Sequence, residues 1–143
     1  MDDEWNGALL VRMLAAVVAG GVLGIDREAR GKAAGLRTLM LVALGASLYT
    51  LLAVSYEGRG DPLRAVQGIA IGVGFLGAGV ILRREDRNAI TGLTTAASIW
   101  VVAAIAIGFG MGFWRLTAVA LALAGLVLSV VPKVEDWLHN RRS

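Results

Sequence analysis

The chain has 143 residues, 57% of them hydrophobic, a formal net charge of +3 and no cysteine. Disulfides, zinc–thiolate centres and cysteine nucleophiles are excluded. His139 is the only histidine, so neither a histidine triad nor a multi-histidine metal site can form within one chain. The mean hydropathy is +0.68, and the charges cluster between long uncharged runs, the pattern of a chain whose solvent is lipid. The basic balance fits cytoplasmic loops of a membrane protein and does not point to nucleic acid.

A spanning helix needs roughly 20 mostly apolar residues. Five stretches qualify, which predicts an all-α polytopic transmembrane bundle forming one domain over residues 1–143. The first runs from Ala8 to Ile25 with a single charge, Arg12. Its acidic lead, Met1-Asp2-Asp3-Glu4, is the opposite of a signal peptide's basic start. The second runs from Leu36 or Thr38 to Val54, the third from Ala65 to Leu82, the fourth from Leu93 to Phe109, and the fifth from Leu116 to Val131, where Pro132 is expected to stop it. Fusing the last two gives a helix of about 38 residues and ~57 Å, too long for a ~30 Å core. They are split at a glycine-rich turn, Gly108 to Trp114.

Ten of the 14 basic residues fall on one side of this topology: Arg27, Arg30, Lys32, Arg37, Arg83, Arg84, Arg87, Lys133, Arg141 and Arg142. Arg12, Arg59, Arg64 and Arg115 fall on the other. The positive-inside rule then puts the amino terminus outside and the carboxyl terminus in the cytoplasm. Trp5 and Trp114 on the outer side and Trp137 on the inner suit interfacial anchors, whereas Trp100 falls mid-span. The helix-packing candidates are Gly20 and Gly24 in the first span, and Gly68, Gly72, Gly74, Gly77 and Gly79 in the third. Small residues at such spacing admit close backbone approach. Tight intramolecular packing, a thin third helix lining a pathway and a homodimer seam are all compatible with it.

Three polar clusters interrupt the spans. In the first, Asp26 and Arg30 are four apart, as are Glu28 and Lys32, each acid preceding its base. It reads either as a helical extension with solvated pairs or as a charged mouth, with Arg27, Arg37 and Thr38 beside it, where Asp26 or Glu28 meets a cation. In the second, Asp61 before Pro62 reads as an N-cap with proline at the first helical position. Arg64 and Gln67 follow into the apolar run, with Asp61 or Glu57 as partners for Arg64. In the third, a charged loop from Arg83 to Asn88 leads to Thr91, Thr94, Thr95 and Ser98, hydroxyls that can cap amides, bond neighbouring helices or supply oxygen ligands. Hydroxyls alone do not make a Mg²⁺ site. Gly72-Val73-Gly74-Phe75-Leu76-Gly77 matches GxGxxG only formally, because it lies inside a span.

Together these clusters give the chain its resemblance to the MgtC/SapB family of bacterial membrane proteins. The matching segments are Gly24-Ile25-Asp26-Arg27-Glu28 with Lys32, Ala34-Gly35-Leu36-Arg37-Thr38, Leu44-Gly45-Ala46, Asp61-Pro62-Leu63-Arg64, Gly74-Phe75-Leu76-Gly77-Ala78-Gly79, and Gly92-Leu93-Thr94-Thr95-Ala96-Ala97 with Trp100. Asp26 stands where glutamate is common, and Leu39 where a histidine often follows. The resemblance implies a multi-pass bacterial inner-membrane protein, a short form without the soluble carboxyl-terminal domain of longer members. It implies a role in adaptation to low magnesium, ion and envelope homeostasis and, in pathogens, survival inside host cells. That role is exerted through other membrane proteins such as ATP synthase, or alternatively as a Mg²⁺ or other cation transporter. The family's sensitive polar position falls on Thr94. No enzymatic activity and no cofactor other than Mg²⁺ are expected.

Overall fold

The computed structural model describes residues 7–55, 61–84 and 89–141. Five helices follow in chain order: α1 (Gly7–Ala29), α2 (Leu36–Ser55), α3 (Pro62–Val80), α4 (Leu93–Met111) and α5 (Trp114–Asn140). All five are long and apolar enough to cross a bilayer. A short antiparallel hairpin of β1 (Leu82–Arg84) and β2 (Ala89–Thr91) joins α3 to α4, with Arg83 opposite Ile90. The link expected there as a charged loop is therefore paired backbone at both ends, and Thr91 belongs to β2 instead of the fourth span.

Local chemistry sets where each helix stops. Gly31 takes a left-handed φ of 61°, and the N–H groups of Gly31 and Lys32 return to the carbonyls of Glu28 and Arg27 at 2.9 and 3.0 Å. This paired closure satisfies carbonyls that a helix end leaves open. It also overturns the expected Glu28–Lys32 pair, because Lys32 lies beyond the helix and no longer sits one turn above Glu28. The Glu28 carboxylate instead accepts the Leu36 N–H at 3.0 Å and so caps the start of α2. Gly35 makes this reach feasible, since an added Cβ there would overlap the Glu28 carboxylate. At α3 the Asp61 side chain accepts the Leu63 N–H at 2.9 Å, with Pro62 opening the helix.

The α4–α5 turn is tighter than the sequence suggests. Gly108 and Gly110 lie inside α4, and only Gly112 and Phe113 separate the two helices. Gly112 has a φ of 82°, and Phe113 and Gly112 donate to Gly108 and Phe109 at 2.9 and 3.0 Å, the same closure as at Gly31. Phe109 and Trp114 then meet edge to face at 5.5 Å. Arg12 of α1 reaches this end of α4 and donates to the Gly110 carbonyl at 3.2 Å. A cation there complements the negative end of the helix dipole.

The fifth span does not stop at Pro132. The helix continues through it to Asn140, where Arg141 stacks 4.0 Å over the Trp137 ring. Proline lacks one N–H and crowds the preceding turn, but the residues after it keep their own donors and can propagate the helix.

Packing is organised around α4, which contacts α1, α2, α3 and α5. Half of its span is buried, against 11% for α3 and 6% for α5. The core is made of small and branched side chains, among them Ala16 and Ala19 of α1, Leu39 and Ala43 of α2, and Ile99, Val102 and Ala106 of α4. Helices α1 and α2 approach backbone to backbone. An added Cβ on Gly20 would lie 2.7 Å from the Leu39 carbonyl oxygen, and one on Gly24 would lie 2.7 Å from Leu36 Cα. Ser47 and Thr50, buried in α2, donate to the Leu44 and Ala46 carbonyls of their own helix, so their hydroxyls are satisfied without a partner helix.

Overpacking a tight contact costs about 1–3 kcal/mol, and losing a helix cap about 1 kcal/mol. Gly24→Val and Gly35→Ala are therefore expected to lower stability by amounts of that order in detergent-titration unfolding followed by circular dichroism. Gly68→Ala is expected to be neutral or stabilising, because nothing lies within 4 Å of a Cβ there. Equal stability of the parent and Gly24→Val would contradict the close α1–α2 approach.

Candidate functional site

The polar residues expected to form a mouth converge where α1 ends and α4 begins. Arg27 lies on the last turn of α1 and is only 3% exposed. Its Nη2 donates to Thr95 Oγ1 at 3.2 Å, joining residues 68 apart in sequence. Its Nε has no hydrogen-bond partner among the described residues. Asp26 makes no hydrogen bond to Arg27, because consecutive helical residues do not face each other, but its carboxylate lies close enough for its charge to favour the guanidinium. Asp26 Oδ1 instead takes the Arg30 Nε at 2.8 Å, which realises the four-residue spacing read from sequence. Asp26 Oδ2 is buried without a partner among the described residues. Lys32, Arg37 and Thr38 are exposed around the same end of the bundle.

The start of α4 completes this region. Gly92 is the N-cap of α4, with a φ of 91° and no side chain of its own to cap the helix. An added Cβ on Gly92 would overlap the Val80 carbonyl, so glycine is what lets β2 turn into α4 against the end of α3. Thr95 is buried towards Arg27, whereas Thr94 is exposed. The Ser98 hydroxyl donates to the Thr94 carbonyl at 2.7 Å. Thr94, Ser98 and Leu23 line a cavity of about 300 Å³ between α1, α4 and α5.

The opposite end of α3 is simpler. Asp61 is used as an N-cap, and Arg64 and Gln67 are exposed. The anticipated Asp61–Arg64 ion pair is not formed, because the carboxylate turns to its own helix start. Glu57 lies outside the described residues, as does Trp5. Gly77 packs at 3.5 Å against Ala96, whereas nothing lies within 4 Å of a Cβ on Gly68, Gly72, Gly74 or Gly79. Gly68 and Gly72, with Gly45 and Tyr49 of α2, line an apolar groove of about 750 Å³ between α2 and α3. Trp100 is 55% exposed on the outer face of α4.

Chemically, the Arg27 region offers donors more than ligands. A guanidinium has no acceptor atom, Glu28 is committed to α2, and half of the Asp26 carboxylate is committed to Arg30. Among the described residues no group of three or more His, Cys, Asp or Glu side chains could hold a metal ion. Sequence reasoning does not reach the Arg27–Thr95 contact, the Arg12–Gly110 contact or the role of Gly35. The available signals are the lone charge in the first span and a glycine beside each helix start.

A family model described as the MgtC family matches residues 13–137. The chain is 41% identical to Protein SrpB of Synechococcus elongatus, over 97% of this chain and 84% of that protein. It is 39% identical to the putative magnesium transporter YhiD of Escherichia coli, over 92% of this chain and 64% of YhiD. It is 40% identical to Protein MgtC of Brucella abortus, over 88% of this chain and 54% of that protein. The chain thus spans less than two thirds of the latter two relatives. No protein of solved structure matches it. With five apolar spans in place and the match running from α1 into α5, the chain is a multi-pass membrane protein belonging to the MgtC family.

Proposed function

We propose that this protein is a non-enzymatic component of the bacterial inner membrane that serves adaptation to low magnesium and envelope or ion homeostasis by contact with other membrane proteins. The observation that carries this reading is the commitment of the acids. Asp26 is paired to Arg30 at the end of α1 and Glu28 caps α2, so each of the acids best suited to meet a cation already has a structural partner. The open groove between α2 and α3 and the unpacked Gly68 and Gly72 on its wall give another membrane helix room for close approach. ATP synthase is one candidate partner of this kind, and a second copy of the chain is another. The link to magnesium is supported by similarity to YhiD, whose name describes a putative magnesium transporter.

The alternative is transport of Mg²⁺ or another cation. It is favoured by one observation, the buried and unpartnered Asp26 Oδ2. Flux into proteoliposomes of the purified chain separates the two. The contact reading expects Mg²⁺ entry no faster than into protein-free liposomes. Saturable uptake abolished by Asp26→Asn would replace it with the transport reading.

The Arg27 end of the bundle faces the cytoplasm in this proposal, supported by the concentration of basic residues there. The chain has no cysteine, so single substitutions report sidedness cleanly. In intact cells a membrane-impermeant maleimide is expected to label Arg64→Cys and to spare Lys32→Cys. The reverse pattern would invert the orientation.

A further inference from the structure

Helix α5 is held most firmly beside the α4–α5 turn. There Phe109 and Trp114 meet edge to face, and Thr117 is the single buried residue of α5 among the described residues. Gly108 makes room for it, since an added Cβ would overlap the Thr117 hydroxyl. Further along, Ala120, Ala124 and Leu128 are only half-buried, and the cavity of about 300 Å³ opens between them and α1 and α4. Its lining is apolar apart from the Thr94 and Ser98 hydroxyls, and Ser98 is already bonded to the Thr94 carbonyl. An apolar space of this kind stays dry. It is also too narrow for a helix. Between the levels of Ala120 and Leu128 it runs about 12 Å, which gives a mean cross-section of about 25 Å². A helix with its side chains is about 10–12 Å across. A single hydrocarbon chain has the width that fits. Ala97, Leu123 and Val127 line the cavity and are exposed, so a chain can enter it sideways from the bilayer.

The geometry points to a lipid site between α1, α4 and α5, in which one acyl chain of an anionic phospholipid fills the cavity and the headgroup lies at the Arg27 end of the bundle. Charge at that end selects the headgroup. Leu23 lines the cavity on α1, and Arg27 and Arg30 follow it on the same face, four and seven residues on. Arg27 is engaged by Thr95. Arg30 is exposed and spends only its Nε on Asp26 among the described residues, which leaves guanidinium donors for a phosphate. The acid on this turn, Asp26, is offset by Arg30 and Arg27, and the exposed Lys32 adds positive charge just past the helix end. Left empty, the cavity would deprive its lining atoms of contacts. The acyl chain supplies the packing that α5 lacks beyond Thr117. The site depends neither on the α2–α3 groove nor on the function proposed above.

Native mass spectrometry of the full chain in detergent, titrated with phosphatidylglycerol or phosphatidylcholine, tests the site. One phosphatidylglycerol per chain is expected to survive activation that strips the remaining lipid, with phosphatidylcholine retained several-fold less. Ala97→Phe and Ala124→Phe fill the cavity and are expected to lower the retained fraction at least about fivefold. Ala97→Leu, a smaller filling, carries the test if neither of them folds. Val119→Phe, at an exposed position of α5 outside the cavity lining, is expected to leave retention unchanged. Arg30→Gln is expected to remove the preference for phosphatidylglycerol while a lipid is still held. No lipid retained by the parent, equal retention in the folded cavity-filled variants, or a second copy of the chain held there in place of lipid would overturn the assignment. An unaltered headgroup preference in Arg30→Gln would overturn the placement of the headgroup.

Discussion

A guanidinium withdrawn from water at the end of α1 is the constraint around which the bundle is arranged. A buried charge in a membrane helix is costly and persists only where other groups accept it. Arg27 is accepted by Thr95 on the first turn of α4, which fixes how α1 and α4 cross at that end. At the other end the same two helices are joined by Arg12, which reaches the last carbonyls of α4. Glu28, one residue past Arg27, caps α2. Three of the charged residues of α1 are therefore used on the termini of neighbouring helices. Helix α1 clamps both ends of α4 and the start of α2.

Between these clamps the contact is one of small surfaces. Gly20 and Gly24 bring α1 onto the backbone of α2, and alanines make up half of the buried apolar core among the described residues. In lipid, apolar burial between helices gives little driving force, so close packing and polar tethers must supply it. The arrangement divides the protein into an inner set, α1, α2 and α4, and two helices that remain largely exposed, α3 and α5. The outward glycines lie on α3, on one wall of the groove, whereas Arg27, Glu28 and Thr95 lie on the inner set. A surface for other membrane helices and a polar centre thus occupy different parts of one small bundle.

Much of this was legible in the residue order. Hydropathy located all five spans, the Asp61-Pro62 pair announced the start of α3, and the four-residue spacing of Asp26 and Arg30 anticipated their bond. The remainder depended on single backbone choices or on distant partners. Gly31 in a left-handed conformation ended α1 and redirected Glu28 from Lys32 to α2, which spacing on an uninterrupted helix cannot foresee. Pro132 was passed instead of obeyed, because a missing N–H weakens a helix without forbidding its continuation. Thr91 was separated from Thr94 and Thr95 by Gly92, whose φ turns the strand into the helix. The Arg27–Thr95 contact joins the first span to the fourth, and no local pattern encodes such a pairing.

The clamping role of α1 is tested most directly by a double-mutant cycle on Arg27 and Thr95, with unfolding of Arg27→Gln, Thr95→Val and the double variant measured in mixed micelles. Residues that share a buried, charge-assisted hydrogen bond are expected to couple by about 1–2 kcal/mol. Effects that add to within ~0.5 kcal/mol would mean that the two side chains do not hold α1 and α4 together.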